Sequence, residues 1–333
     1  MSEINTGQPP SSDAGDDNKI KAERKVTQGS ARNDVHPNNS ADRVHCVWDA
    51  KATLGEGPCW VAREQAIYWV DIKEFLLHRL CTVTDQRRSW HIPEQVTALA
   101  PRRNGGFIAT LRHGFALLEI PQLEETVHIK VLGTPEPERP GNRFNDGKVD
   151  SKGRFWAGSM DDAESKPSGA LYRLDGDCAW QKMDDQYVIT NGPTFSPDGR
   201  TLYHTDTLAR TIYAFDLAED GRIGNKRQFF KFEDSSGFPD GMTVDQEGCL
   251  WVCHFFGWGI TRISPKGNIV GRIDLPVSNV TSCTFAGDKM ETLYITTARK
   301  GLNAEQLKNQ PLAGGLFRFE PKVRGLEPGI FAG

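Results

Sequence analysis

An all-β fold, a six-bladed β-propeller with a single metal site in its central channel, is predicted from three observations. After Val44, short runs rich in β-branched and aromatic residues, punctuated by Gly, Pro, Asn and Asp, take the place of helical periodicity. A frame of polar residue, small residues, apolar strand, Asp or Ser, glycine-containing turn and aromatic strand recurs six times. Its period of about 40 to 50 residues is the length a four-stranded blade requires.

Three copies are clear: "NDGKVDSKGRFWAGSM" from Asn145, "NGPTFSPDGRTLYHTDT" from Asn191 and "DGMTVDQEGCLWVCHF" from Asp240. "EGPCWVAREQAIYWVDI" from Glu56 fits with a longer turn, and the stretches from Val96 and Thr281 fit more loosely. The turns at Lys152-Gly153, Asp198-Gly199 and Glu247-Gly248 match the hairpin preference for a residue that tolerates positive φ. Trp69, Trp156, Tyr203 and Trp251 recur in the second strand, which assigns them to packing between blades. "VHCVWD", Val44 to Asp49, precedes the first full frame and is expected to join the last blade and close the ring. A pair of aligned β-sheets in a sandwich is the runner-up, and an even period of six copies argues against it.

Residues 1–43 are rich in Ser, Asn, Asp, Gly and Lys, and carry too little apolar surface to offset the entropy of ordering. They are expected to form a disordered tail, with the propeller spanning 44–333. The whole chain has 333 residues, ample for a substantial core. Its 40 Lys and Arg against 44 Asp and Glu, a net charge of -4, lack the basic excess that would announce nucleic acid or an anionic membrane. No apolar run of spanning length and no secretory leader is visible, so a cytoplasmic protein, monomeric or weakly homo-oligomeric, is expected. Seven scattered cysteines without a C-x-x-C pair read as reduced thiols, and a zinc site at Cys249 and Cys253 has the wrong spacing.

The first frame position carries the chemistry. Across the blades it reads Glu56, Val96, Asn145, Asn191, Asp240 and Thr281. Equivalent starts of the innermost strands converge on one mouth of the channel, so four oxygen-bearing side chains are predicted to meet there. Two carboxylates at close range call for a counter-ion. An all-oxygen set fits Ca²⁺, Mg²⁺ or Mn²⁺ better than structural zinc, and open coordination positions suit catalysis. The bland alternative is that Glu-Gly, Asn-Gly and Asp-Gly are strand-entry turns. Arg143 lies two residues before Asn145 and can share its face, where it would bind a substrate hydroxyl or an oxyanion. Asp146 reads as a turn-former or supporting group, Asp206 can face either the channel or the surface, and His204 and His254 read as packed histidines.

"LGEGPCW", "RFNDGKVDSKGRFWAGSM", "TNGPTFSPDGRTLYHTDT" and "FPDGMTVDQEGCLWV" resemble the motifs of the senescence-marker-protein/gluconolactonase family, the regucalcin-like sugar lactonases, over about Val47 to Phe319. The chain is similar in flavour to bacterial aldonolactonases. The resemblance implies a six-bladed propeller with one divalent ion held by Glu56, Asn191 and Asp240, and substrate contacts from Arg143 and Asn145. It also implies an acidic contact from the loop after Met160, "DDAESK"; Asp162 is the first candidate, with Asp161 and Glu164 open. Ca²⁺ and Zn²⁺ lead among the ions such proteins use, with Mg²⁺, Mn²⁺ and Fe²⁺ as alternatives.

The expected reaction is hydrolysis of a five- or six-membered sugar lactone to its aldonic acid, with Asp240 as general base or, in a rival chemistry, as nucleophile. No G-x-S-x-G elbow or phosphate-binding glycine loop is present. Phosphotriester or ester hydrolysis is an alternative that an apolar rim would favour, whereas polar loops such as "DDAESK" and "RHG" suit sugar hydroxyls. A non-catalytic calcium-binding propeller is the reading from another class.

Overall fold

The repeated frame builds six antiparallel four-stranded sheets in sequence order. The structure is a computed structural model that describes residues 44–121 and 126–333. The tail expected over residues 1–43 lies outside the described residues. The inner strands are Gly55–Val61, Val96–Pro101, Asn142–Val149, Thr190–Phe195, Phe238–Val244 and Val280–Ala286, starting within three residues of the predicted frame positions. Each contacts the inner strands of both neighbouring blades, and the sixth contacts the first, so the ring is closed. The closing strand is the one expected: His45–Trp48 pairs antiparallel with Leu316–Phe319 as the outermost strand of blade six. Among the described residues no helix is long and apolar enough to cross a membrane.

One irregularity repeats in every blade. The pairing of inner and second strand shifts register between Glu56 and Cys59, Val96 and Ala98, Phe144 and Gly147, Asn191 and Thr194, Pro239 and Met242, and Val280 and Ser282. A bulge turns a side chain off the pleat and bends its strand. The six bulges therefore re-aim the frame residues where the strands approach the axis. This corrects the strand-entry alternative, because Glu56-Gly57, Asn191-Gly192 and Asp240-Gly241 lie inside strands at bulges. Gly241 meets the neighbouring blade so closely that a Cβ would stand 2.6 Å from the Cβ of Ser282.

The "Asp or Ser" of the frame has a structural task. Asp245, fully buried, accepts through Oδ1 from the amides of Glu247 and Cys249 and through Oδ2 from Trp251 Nε1 and Arg262. Asp150 repeats the pattern in blade three with the Lys152 and Arg154 amides and Trp156 Nε1. One carboxylate thus caps the hairpin and fixes the indole of the next strand. The hairpin glycines Gly153, Gly199 and Gly248 take positive φ as expected. Trp156 meets Phe195 of blade four and Trp251 meets Phe285 of blade six, edge to face, so these aromatics do pack between blades.

Two segments fall outside the six-fold pattern. A short helix, α1 (Ala304–Asn309), with an Asn303/Gln306 capping box, sits between the second and third strands of blade six. The last residues add no strand to a blade; they run beneath the ring. The Gly325 amide donates to Met290 O, Phe331 N to Pro101 O and Ala332 N to Gly153 O, tying blades six, two and three together. The ring of Phe331 is fully buried.

Replacing Asp245 by Ala strands two amides, an indole N–H and part of the Arg262 guanidinium without water. We expect a loss of about 2–4 kcal/mol in urea unfolding. A change within 0.5 kcal/mol would contradict the structural role.

Candidate functional site

The predicted set assembles at the upper end of the channel, where the inner strands start. Glu56, Asn145, Asn191 and Asp240 are all buried, as is Arg143. Asn145 Nδ2 donates to Asn191 Oδ1 at 3.1 Å and to the backbone oxygen of Thr190 at 2.7 Å. Asn191 Nδ2 in turn donates to Thr207 Oγ1 at 2.9 Å. Both nitrogens of this pair are thereby committed, and the Asn191 oxygen is presented to the axis with one lone pair left. The oxygen of Asn145 is occupied by Arg143 Nη1 at 2.7 Å. Each amide oxygen thus accepts one hydrogen bond and keeps one lone pair, and Asn145 orients the amide of Asn191.

The two carboxylates lack such partners. Glu56 accepts only the amide of its neighbour Gly57, at 3.2 Å. Among the described residues no Lys or Arg forms an ion pair with Glu56 or Asp240. Burial, then the nearby charges of Asp240 and Asp146, push the Glu56 carboxyl well above its usual range. Burial, then Asp146, do the same to Asp240. A divalent cation placed among two unpaired carboxylates and an amide oxygen would remove this repulsion, so the donor chemistry fits an oxygen-preferring ion. Among the described residues no group of three or more His, Cys, Asp or Glu is placed to hold a metal ion by itself, so a site here would need amide oxygens as well.

Asp146 sits just below. The bulge that frees Asn145 also leaves Asp146 buried, accepting from the Gly147 amide at 2.7 Å. Burial raises its carboxyl to about 6, against the opposing effect of Lys148 and the amides of Gly147 and Gly192. Lys148 is half-buried, its desolvated ammonium lowered in pKa, and donates to Met242 O at 2.7 Å. Below it the channel widens into a cavity of about 550 Å³ lined by Cys59, Lys148, Thr194, Cys283 and the C-terminal stretch from Leu326 to Ile330.

The loop after Met160 resolves into three roles. Asp161 is a turn-former, accepting the amides of Ser165 and Lys166. Asp162 faces the site, its Oδ1 receiving Arg143 Nε at 2.8 Å and its Oδ2 receiving Arg112 Nη2 at 2.8 Å, with Lys73 Nζ at 3.6 Å. Burial opposes its ionisation, but Arg143, Lys73 and Arg112 outweigh it and hold the carboxyl at about 2. Glu164 pairs with Lys300 at 2.6 Å. Arg112 falls in the polar "RHG" loop flagged in the sequence, but Lys73 and Lys300 occupy loops that the frame does not cover.

The remaining candidates are structural. His204 packs edge-on against Tyr187, and burial drives its pKa to about 3. His254 is buried with Nε2 on Thr261 Oγ1 at 2.8 Å, and burial, then Arg272, lower it to about 3. Asp206 accepts the Ala209 amide in its own turn. All seven cysteines are free thiols.

Residues 54–299 match the SMP-30/Gluconolactonase/LRE-like region family. The chain is 37% identical to a 6-deoxy-6-sulfogluconolactonase of Pseudomonas putida over 88% of this chain and 99% of that protein. It is 36% identical to regucalcin of Oryctolagus cuniculus, over 88% of this chain and all of that one. Among solved structures, a calcium-binding protein named regucalcin from Agrobacterium tumefaciens superposes with a TM-score of 0.81 at 25% identity, over 86% of this chain and 96% of that one. The chain belongs to the SMP-30/gluconolactonase family.

The unpaired carboxylates make a signed prediction. In EDTA, Asp240→Asn removes one of two repelling buried charges and should leave the protein as stable or more stable, by about 1 kcal/mol. Ca²⁺ should raise the melting temperature of the wild type and leave that of Asp240→Asn unchanged. Equal shifts in both proteins would sink Asp240 as a ligand.

Proposed function

We propose that this protein hydrolyses a sugar lactone, an aldono-1,4- or 1,5-lactone of a pentose or hexose, to the aldonic acid with the help of one divalent ion. The observation that carries the reading is the pair of buried carboxylates without an ion partner, Glu56 and Asp240, beside an amide oxygen held ready by Asn145. Family membership supports it, as does the name of the P. putida relative. Relatives named as regucalcin, one described as calcium-binding, favour Ca²⁺ as the first ion to try, with Zn²⁺ next and Mg²⁺, Mn²⁺ and Fe²⁺ after them. Seven free thiols fit a reducing compartment and so a cytoplasmic enzyme.

Glu56, Asn191 and Asp240 would hold the ion. When bound, it would supply Lewis-acid polarisation of the lactone carbonyl and offset the oxyanion charge that develops there. Arg143, fixed between Asn145 and Asp162, offers its guanidinium to the same carbonyl or to a ring hydroxyl. Asp162, kept ionised, holds that guanidinium in place and accepts from sugar hydroxyls. Asp240 takes the proton of the attacking water, which adds to the carbonyl carbon; the C–O ring bond then breaks and the alkoxide is protonated to the free hydroxyl. The polar rim suits a sugar better than the apolar substrates of an ester hydrolase.

Two experiments test this. After chelation, a pH-indicator assay over xylono-, arabinono-, galactono- and gluconolactone should show no enzymic rate, and restoring one divalent ion should recover it. Asp240→Asn should lose about a thousandfold or more in kcat, in line with losing both a ligand and a base. Metal-independent turnover, or background rates on every lactone with every ion, would refute the reading; the second outcome would leave the calcium-binding propeller. Single-turnover hydrolysis in ¹⁸O-water decides the step, because label in the Asp240 carboxylate would mean direct attack.

A further inference from the structure

The rim beside the site carries more positive charge than its own carboxylates neutralise. Arg143, Arg112 and Lys73 surround the single carboxylate of Asp162, and Lys300 faces Glu164. Four cations meet two anions. They arrive from separate parts of the ring: Lys73 from the hairpin after Ala66–Asp71, Arg112 from the turn after Phe107–Leu111, Arg143 from the inner strand of blade three, and Lys300 from the loop after Thr292–Thr297.

Lys73 is the least satisfied of them. Its contact with Asp162 is 3.6 Å, longer than a hydrogen bond, because the two arginines already occupy that carboxylate at 2.8 Å. Burial, then the charge of Arg143, lower the pKa of its ammonium against the opposing effect of Asp162, and Lys300 adds a smaller lowering. Two lysines that feel one another's charge at a partly buried rim gain most from a shared anion between them.

The position says what that anion is attached to. One guanidinium, that of Arg143, touches both Asn145 of the axial set and Asp162 of the rim. A lactone with its carbonyl at Glu56, Asn191 and Asp240 and a hydroxyl on Arg143 would have its far end at the rim that Lys73 and Lys300 share with Asp162 and Glu164. We infer that Lys73 and Lys300 form an anion subsite, and that the substrate is a hexonolactone carrying a tetrahedral anionic group, sulfonate or phosphate, at the end remote from the lactone carbonyl. This inference rests on the lactonase reading for its orientation.

The test compares glucono-1,5-lactone with its 6-phosphate and with its 6-deoxy-6-sulfo analogue, for the wild type, Lys73→Met and Lys300→Met. We expect a KM about tenfold lower for at least one anionic lactone than for the neutral one, equivalent to about 1.4 kcal/mol. Each Met variant should raise that KM by about three- to tenfold, with kcat and the neutral KM within twofold, as for the loss of one charge-assisted contact. Raising NaCl from 20 to 300 mM should weaken only the anionic substrates, because salt screens an exposed charge pair within about a Debye length of 10 Å or less. The ranking of phosphate against sulfonate identifies the group. A neutral KM equal to or below both anionic values, or Met variants that shift neutral and anionic lactones alike, would overturn the subsite. If no lactone turns over, the lactonase reading fails instead, and calorimetry with 6-phosphogluconate decides the subsite. Binding that weakens in Lys300→Met supports it, and binding equal to that of gluconate overturns it.

Discussion

Two carboxylates that repel each other at the axis of the ring are the constraint around which the molecule is arranged. Glu56 and Asp240 come from blades one and five, are both buried, and have no cation in contact among the described residues. Isolated, such a pair would move apart or pull in water. Here it cannot, because each side chain is fixed to an inner strand by a bulge, and each strand is locked between two neighbours in a closed ring. The fold supplies the rigidity that lets an unfavourable charge arrangement persist until a ligand relieves it.

The asparagines extend the same logic. Asn191 spends its nitrogen on Thr207 and receives Asn145 on its oxygen, while Asn145 spends its own oxygen on Arg143. Every amide orientation in the chain Arg143–Asn145–Asn191–Thr207 is set by the one before it. Arg143 closes the chain at its other end on Asp162. Disturbing the rim at Asp162 therefore reaches the axis through a single guanidinium. The rim and the axial geometry are coupled by contact, with no change of conformation required.

The parts that repeat were legible in the sequence, and the parts that do not were not. Glu56, Asn191 and Asp240 stood out only as members of a register; each alone is an ordinary acid or amide before a glycine. The ring-closing strand at His45–Trp48 followed from the count of frames. The bulges were invisible, since a register shift depends on which residue pairs across the sheet and not on composition, and they turned apparent strand-entry turns into mid-strand bends. Lys73 and Lys300 lie in loops of differing length, where no frame assigns a direction. The C-terminal strap under the ring likewise has no periodicity, and many of its ties to the blades are backbone to backbone, which leave no side-chain pattern to read.

The strap bears on which mouth of the channel does chemistry. From Leu326 to Ile330 it forms one wall of the lower cavity, and Phe331 is buried beneath blades two and three. Between that cavity and the carboxylates stand Asp146 and Lys148, whose opposite charges face each other, and the ammonium of Lys148 is tied to Met242 O. A polar sugar entering from below would have to displace the strap and then pass Asp146 and Lys148. From above it meets exposed turns and partly exposed cations around Asp162. The electrostatics of the channel therefore run one way: cations at the open rim, carboxylates at the axis, and the attracting charges of Asp146 and Lys148 below them. If the proposed lactone binds here, that polarity would turn its carbonyl end downward and its hydroxyl-bearing end to the rim, where the loops could set which sugar is accepted.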